Sequence, residues 1–234
     1  MPQLSSIIIL VLLAAFMLLC VKKGKLTPAG GLAAGVTGLL VFAGSGITGV
    51  MLLTVFFLLA TIATSHKKKL KATVNPHPEK RNAGQVFANG GVAAIMAALS
   101  LADPAHSNVY VLMIAASLAS ATADTVSSEL GMVYGRNFYN ILTFKRDTKG
   151  LDGVVSLEGT LTGAAGALTI AIVYSIGHGF DERLIYILAA GVLGNLIDSV
   201  LGASLERKRY INNDIVNFLN TLFAALIALL LFYR

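Results

Sequence analysis

Two aspartates lie inside apolar segments of this sequence, and each is followed by a hydroxyl residue. Asp124 stands in the segment 123–131, and Asp198 stands in a segment that is rich in small residues. An ionisable side chain within a membrane span is costly unless it is paired or meets water, so it is a functional-site hypothesis by default. The small residues beside Asp198 leave room for a ligand, which an aspartate needed only for helix contact would not require. We therefore predict that both carboxylates are catalytic.

Further oxygen-bearing side chains fall close to these aspartates on helical spacing. Asp124 and Ser128 share one helical face, and Glu129 lies on the adjacent face. Asn195 precedes Asp198 by three residues and so lies on the same stripe. Carboxylates and amides are hard oxygen ligands, which suit Mg²⁺ held partly by substrate phosphates. The sequence predicts Asp124, Glu129 and Asp198 as catalytic residues and as ligands of Mg²⁺.

Residues suited to phosphate binding precede or begin several of the apolar segments. Arg81, Gln85 and Asn89 recur every four residues along one stripe. Arginine, lysine and helix N-termini all bind phosphate oxygens. The predicted substrate- and phosphate-binding residues are Arg81, Gln85, Asn89, Ser128, Lys149, Ser156, Thr160, Asn195, Asn212, Asn213, Asp214 and Asn217. The group Asn212 to Asp214 also has a second interpretation, as the N-terminal cap of the last helix.

Together these groups are typical of a phosphoryl-transfer site, which combines positively charged residues, acidic metal ligands and glycines. Nucleophilic catalysis is not indicated, because the serines lack a partnered histidine and the four histidines are scattered over connections.

The composition requires that these residues be positioned by membrane-spanning helices. The 234 residues include 18 basic and 12 acidic ones, 56% are hydrophobic, and the mean hydropathy is +0.75. Soluble domains are about a quarter charged, so a soluble fold is excluded. The single cysteine, Cys20, excludes disulfides and cysteine-based metal clusters. We predict an all-α polytopic transmembrane bundle forming one domain, 1–234, with residues 1–25 a peripheral first span and 26–234 the core.

The apolar residues fall in blocks long enough to cross ~30 Å of hydrocarbon. The predicted spans are 4–21, 28–45, 47–65, 84–102, 107–125, 156–177, 184–204 and 214–233. A short turn at 44–46 predicts that the second and third spans form an antiparallel hairpin.

Positive charge alternates between the connections. Basic residues follow the first, third, fifth and seventh spans. The other three connections contain one basic residue between them, Arg183. By the positive-inside rule, the basic connections are cytoplasmic and both termini lie on the non-cytoplasmic side. The net charge of +6 is explained in this way, without nucleic acid as a partner. The predicted location is the cell (inner) membrane, with the active site facing the cytoplasm.

Six segments in order resemble a family of integral-membrane proteins that includes phytyl-phosphate kinase. They are 26–30, 85–90, 123–131, 153–160, 198–203 and 212–217. The family looks distantly similar to phytol and dolichol kinases and to phospholipid cytidylyltransferases. The resemblance implies Mg²⁺-dependent phosphoryl transfer from CTP or another nucleoside triphosphate to an isoprenyl monophosphate (phytyl, geranylgeranyl or polyprenyl). One departure is the pair Val126-Ser127, where the family motif has tryptophan followed by a small residue.

Two alternatives stand beside the enzyme. Glycine-rich helices and a faint similarity between the starts of the second and sixth spans are also typical of a transporter or lipid scramblase. However, the polar residues cluster at one membrane interface, which favours the enzyme. The other alternative is a structural membrane subunit without a small-molecule site.

Overall fold

The computed structural model describes residues 4–72, 74 and 80–234, and this part of the chain is an all-α bundle. The helices are α1 (Leu4–Lys22), α2 (Pro28–Ser65), α3 (Lys68–Ala72), α4 (Ala83–Ala102), α5 (Ser107–Tyr134), α6 (Leu157–His178), α7 (Arg183–Leu201) and α8 (Asn213–Phe232). A 3₁₀ turn (Pro104–His106) precedes α5, and a π-helical turn (Gly202–Glu206) follows α7. Between α5 and α6 a loop contains two short antiparallel strands, β1 (Tyr139–Asn140) and β2 (Val154–Val155).

Six helices within the described residues are long and apolar enough to cross a membrane: α2, α4, α5 with its preceding 3₁₀ turn, α6, α7 with its π-helical turn, and α8. A shorter apolar stretch, Ile7–Lys22, forms most of α1. The predicted all-α polytopic membrane fold is confirmed. The placement of both termini on the non-cytoplasmic side stays a prediction from loop charge.

Helix α2 is folded back on itself at Gly46. This glycine has φ 63° and ψ −151°, a conformation that residues with a Cβ rarely adopt. A straight helix of 38 residues would be about 57 Å long at 1.5 Å per residue. Instead, Lys25 Nζ donates a hydrogen bond to Ser65 Oγ at 3.2 Å, so the two ends of α2 meet. The predicted hairpin is therefore present, with a first arm (28–45) and a second arm (47–65), and each of the eight apolar segments is helical.

Helix α5 lies at the centre of the bundle and contacts α2, α4, α6, α7 and α8. Its middle consists largely of fully buried small residues, alanines above all. Small residues let helices approach closely in lipid, where packing drives association. At Gly191 of α7, a Cβ would lie 2.9 Å from the Cβ atoms of Ala119 and Ala167. Because these residues are packed so closely, there is no space for a larger side chain at Gly191.

We expect Gly191→Leu to destabilise the bundle by about 1–3 kcal/mol, because the added side chain overpacks the α5–α6–α7 contact. Thermal unfolding in detergent measures this effect. Leu193→Val, at a 44% exposed position of the same helix, is the matched control and should leave the unfolding temperature nearly unchanged. Equal effects of the two substitutions would contradict the close packing.

Two predicted helix ends differ from the structure. Helix α5 continues to Tyr134, whereas the sequence predicts a span that ends at 125, where polar residues begin. Within this extension Glu129 is paired with a lysine, as described below, so its charge is compensated inside the protein. Helix α7 ends at Leu201 and passes into the π-helical turn. Such turns are rare and are frequent at functional sites.

Candidate functional site

A polar cavity of about 480 Å³ opens at one end of the bundle. It lies between the second arm of α2, the N-terminal ends of α4, α6 and α8, the C-terminal half of α5, and the end of α7. Lysines and arginine from the basic connections line it, namely Lys25, Lys68, Lys71 and Arg81. The cavity therefore lies at the end of the bundle that carries the positive charge.

The two aspartates singled out in the sequence face each other in this cavity. Asp124 on α5 and Asp198 on α7 both line the cavity, and their carboxyl groups are close enough to interact directly. Asn220 Nδ2 donates to Asp198 Oδ2 at 2.6 Å, and Ser120 Oγ in turn donates to Asn220 Oδ1 at 3.0 Å. Two adjacent carboxylates repel each other unless a proton or a cation lies between them. The pair is thus oriented by buried partners and suited to a cation.

Asn195, three residues before Asp198, lies beside this pair as predicted. It is buried, and its Oδ1 accepts a hydrogen bond from Ser127 Oγ at 3.2 Å. Neighbouring Ser128 also lines the cavity, and its hydroxyl bonds to the carbonyl of Thr125 at 3.2 Å.

Glu129 also lines the cavity, where it is paired with a lysine. Its carboxylate forms an ion pair with Lys71 of α3, and the two side chains are only 9% and 4% exposed. Lys71 also donates to the carbonyl oxygens of Ala63 (2.7 Å) and Thr64 (2.9 Å), near the C-terminal end of α2. Across residues 4–72, 74 and 80–234 no group of three His, Cys, Asp or Glu side chains is arranged to hold a metal. The predicted three-carboxylate site is therefore not formed, because Glu129 is engaged by Lys71.

The start of α4 brings Arg81, Gln85 and Asn89 to the cavity, as predicted. Gln85 forms a reciprocal capping box with Asn82, with both hydrogen bonds at 3.0 Å. Asn89 Nδ2 donates to the Gln85 carbonyl at 3.0 Å, while its buried Oδ1 has no partner. This amide oxygen is free to accept a donor or to bind a cation.

Two contacts position Arg81. Its backbone pairs with that of Leu26, and its guanidinium lies 5.9 Å from the centre of the Phe56 ring. Withdrawal from water lowers the pKa of Arg81, and the charge of Glu129 opposes that shift. Arginine stays protonated in proteins, so a fixed positive charge borders the cavity.

The polar residues at the start of α8 were predicted either to bind substrate or to cap the helix, and the structure places them differently from one another. Asn212 Oδ1 accepts from Ile215 N at 3.0 Å and so caps the helix. Asp214 lies against Gly84, where a Cβ would be 2.7 Å from its Oδ2, and neither Asn212 nor Asp214 lines the cavity. Asn213 and Asn217 do line it, and Asn217 Oδ1 is a second buried amide oxygen without a partner. The capping interpretation thus holds for Asn212, while the substrate-binding role of Asn212 and Asp214, which lie outside the cavity lining, stays a prediction.

The loop between α5 and α6 contributes the remaining predicted residues unequally. Ser156 lines the cavity and also caps α6, since its Oγ accepts from Gly159 N at 3.1 Å. Thr160 lies one turn later and lines the cavity as well. Lys149 does not line the cavity: its Nζ lies 5.7 Å from the centre of the Phe138 ring. The structure therefore does not bring Lys149 to the other predicted phosphate-binding residues, and its phosphate-binding role stays a prediction.

The same loop is fastened to the end of α7 by Arg207. Arg207 Nη1 donates to Asp147 Oδ2 at 2.8 Å, and its Nε donates to the Asp152 carbonyl at 3.1 Å. The hydrogen bond from Arg207, with further bonds from Thr148 N and the Asn140 amide, lowers the pKa of Asp147. A lowered pKa means that the folded loop is stabilised by the ionised carboxylate.

We expect the ion pair between Arg207 and Asp147, which attaches this loop to the end of α7, to depend on pH. The contribution of Asp147 is complete above its ordinary pKa of about 3.8, and it is lost as the pH falls through the lower value of the folded state. Hydrogen exchange of residues 138–153 should show protection that is steady near neutrality and declines in acid. Asp147→Asn should reduce this protection at neutral pH and remove the acid-dependent step, and a step of unchanged size in this variant would contradict the assignment.

Several residues of the cavity were missed by the sequence analysis. They are Lys25, Lys71, Asp152, Ser199 and Glu206, all of which line it. Lys71 belongs to the basic connection after the third span, and nothing in this run of lysines distinguishes it from its exposed neighbours. Glu206 follows Asp198 by eight residues, a spacing that would have placed it near the same helical stripe.

The structure therefore defines a polytopic helical membrane protein with an acidic, amide-rich and basic cavity at one end of its bundle. The chain belongs to the family described as integral membrane protein DUF92, whose model matches residues 11–225. This match confirms the family resemblance drawn from the six segments.

Relatives come from archaea, plants and cyanobacteria. An uncharacterised membrane protein of Methanocaldococcus jannaschii is 30% identical, over 99% of this chain and 97% of its own length. The chloroplast protein VTE6 of Arabidopsis thaliana is 30% identical, over 88% of this chain and 65% of its own length. An uncharacterised membrane protein of Synechocystis is 32% identical, over 97% of this chain and 90% of its own length. No solved structure matches the chain.

Proposed function

We propose that this protein is an isoprenyl-phosphate kinase. It would transfer a phosphoryl group from CTP or another nucleoside triphosphate to an isoprenyl monophosphate at the cytoplasmic face of the cell membrane. The observation that carries the proposal is the pair Asp124 and Asp198, facing each other in a cavity that also contains fixed positive charge and unpartnered amide oxygens. The similarity to VTE6 supports a role in prenyl phosphate metabolism.

The residues of the cavity fit a magnesium ion. Asp124 and Asp198 would hold it, because two facing carboxylates need a compensating positive charge. The buried oxygens of Asn89 and Asn217, which lack partners, extend the set of hard oxygen donors. When bound, Mg²⁺ would neutralise charge on the transferring phosphates.

The chain's own residues would bind and orient the two phosphate-bearing substrates. Arg81 would supply a fixed charge for phosphate oxygens, and α4, α6 and α8 all begin beside the same cavity, where the positive ends of their helix dipoles favour anions. An oxygen of the lipid phosphate attacks the γ-phosphorus, and the bond from that phosphorus to the β-phosphate oxygen breaks with its electron pair. The products are the isoprenyl diphosphate and the nucleoside diphosphate. The attacking oxygen is already ionised near neutral pH, so positioning carries most of the catalysis and no strong base is required.

The packing of the bundle beyond the cavity favours an enzyme over the transporter or scramblase alternative. Leu112, Ile114 and Leu118 of α5 are fully buried, about two to three turns before Asp124. These apolar side chains fill the bundle centre, where a transport path would require polar groups or water.

The proposal is tested by incubating purified protein in detergent with phytyl or geranylgeranyl phosphate, Mg²⁺ and each labelled nucleoside triphosphate in turn. We expect a labelled isoprenyl diphosphate that depends on both Mg²⁺ and the lipid phosphate. If no acceptor and no nucleotide gives a diphosphate, the kinase assignment fails.

A further inference from the structure

A second cavity, of about 100 Å³, adjoins the polar one and has mostly apolar walls. It lies between α1, both arms of α2 and the start of α4. The apolar side chains that line it are Leu13, Phe16, Met17, Cys20, Leu26, Ala34, Val50, Leu53, Phe56, Phe57 and Val86. We call it the apolar cavity.

The apolar cavity and the polar cavity share part of their walls. Phe57, Arg81, Gln85 and Asn89 line both. At this junction the guanidinium of Arg81 lies over the Phe56 ring, at the boundary between the two environments. An amphiphile bound here would have its charged group beside Arg81 and its hydrocarbon among the side chains of α1 and α2.

We propose that the apolar cavity holds the phosphate-proximal isoprene units of the lipid substrate, an inference that rests on the proposed function. The apolar walls match a branched hydrocarbon chain, and the shared residues place that chain beside the phosphate site. The volume fits the leading part of a chain and not a whole one, so the remainder extends into the bilayer. Residues on the outside of α1, such as Val11 and Leu12, are more than half exposed and offer it an apolar surface.

Gly38 is the position at which this site can be altered with least strain. It is buried, lines the apolar cavity, and a Cβ there would lie 3.8 Å from Leu13 Cδ2, an ordinary contact. At nearby Gly35, in contrast, a Cβ would lie 2.6 Å from Met17 Sδ. A side chain added at Gly38 should therefore fill the cavity without displacing α1.

The first test is independent of turnover. A geranylgeranyl phosphate with a photoreactive diazirine near its phosphate is crosslinked to the wild-type protein, and the labelled peptides are mapped by mass spectrometry. We expect labels on α1 and on the arms of α2, suppressed by unlabelled geranylgeranyl phosphate. Labels confined to other helices would overturn the inference.

The second test compares Gly38→Leu with the wild type on acceptors of different chain length. We expect kcat/KM for geranylgeranyl phosphate to fall about tenfold or more, with much less change for methyl phosphate, which has no isoprene unit to displace, since one displaced apolar contact is worth roughly that discrimination. Gly38→Ala should give an intermediate loss and retains the fold. Val36→Leu, at a 51% exposed position of the same arm, is the control and should change neither acceptor.

The outcomes separate the two proposals. Equal loss for both acceptors, or no loss in Gly38→Leu, overturns the chain site while leaving the kinase intact. Specific labelling of the apolar cavity in a protein without any diphosphate product removes the kinase but retains the lipid site.

Discussion

Asp124→Asn and Asp198→Asn are each expected to lower kcat by about 10³-fold or more in the diphosphate-forming assay. Each substitution keeps the side-chain shape but removes a charge that the proposed Mg²⁺ and the phosphates require, and a loss of 10³ corresponds to about 4 kcal/mol of transition-state stabilisation. The expected loss is greater than for any other single residue of the cavity.

The same substitutions should not lower the stability of the protein, although they lower its activity. The two carboxylates face each other, so replacing one relieves a repulsion that the protein tolerates for its function. We therefore expect the unfolding temperature without Mg²⁺ to stay level or rise in Asp124→Asn, while the stabilisation of the wild type by added Mg²⁺ is lost.

The control is Asp103→Asn, which changes a carboxylate that is hydrogen-bonded to His106 at 2.8 Å, outside the cavity. It should retain turnover and its response to Mg²⁺. Intact turnover in both Asp124→Asn and Asp198→Asn would remove these residues from the active site. Lost turnover accompanied by a lower unfolding temperature would instead point to a structural role.

The second large effect concerns the buried ion pair between Lys71 and Glu129. Glu129→Leu is expected to destabilise the protein by about 3–5 kcal/mol, because it leaves the ammonium of Lys71 buried without its partner. Removing both charges in Lys71→Met with Glu129→Leu should recover most of this loss, since apolar pairs of similar volume often replace buried ion pairs at little cost.

Unfolding in detergent with increasing denaturant measures both variants, and the diphosphate assay supplies a second readout. If the pair is structural, the double variant regains activity along with stability. A double variant that is stable but inactive would return Glu129 to the catalytic residues that the sequence predicted. Lys69→Met, in the same helix but exposed, is the control for the loss of a lysine.

The sequence was informative about groups that depend on local periodicity. Asp124 and Asp198 were placed at the same end of two spans because charge alternation oriented those spans, and a shared interface brings such residues together. The stripe of Arg81, Gln85 and Asn89 followed from helical spacing, and the hairpin followed from the glycines at 44–46. These features need only the period of the helix and the direction in which each span runs.

Features that depend on distant partners could not be predicted in this way. Lys71 and Glu129 are 58 positions apart, and only tertiary packing selects Lys71 from a run of similar lysines. Lys149 carried the right charge for phosphate but lies over Phe138, and Asn212 carried the right polarity but caps its helix. In each case the side chain already interacts with a local or tertiary partner that the sequence does not reveal.

The central position of α5 also has a consequence for how its sequence can vary. In its most apolar stretch 83% of the residues are buried, compared with 28% for α2, and its mean hydropathy is lower, at 1.5 against 2.3. Helix α5 is therefore surrounded by neighbouring helices and not by lipid tails. Its hydroxyl groups form hydrogen bonds within the protein, as where Thr122 Oγ1 donates to the Leu118 carbonyl at 2.7 Å. Across relatives we expect the outer positions of α2 to exchange freely among residues of similar hydropathy. Positions along α5 should instead preserve side-chain volume, even where polarity changes.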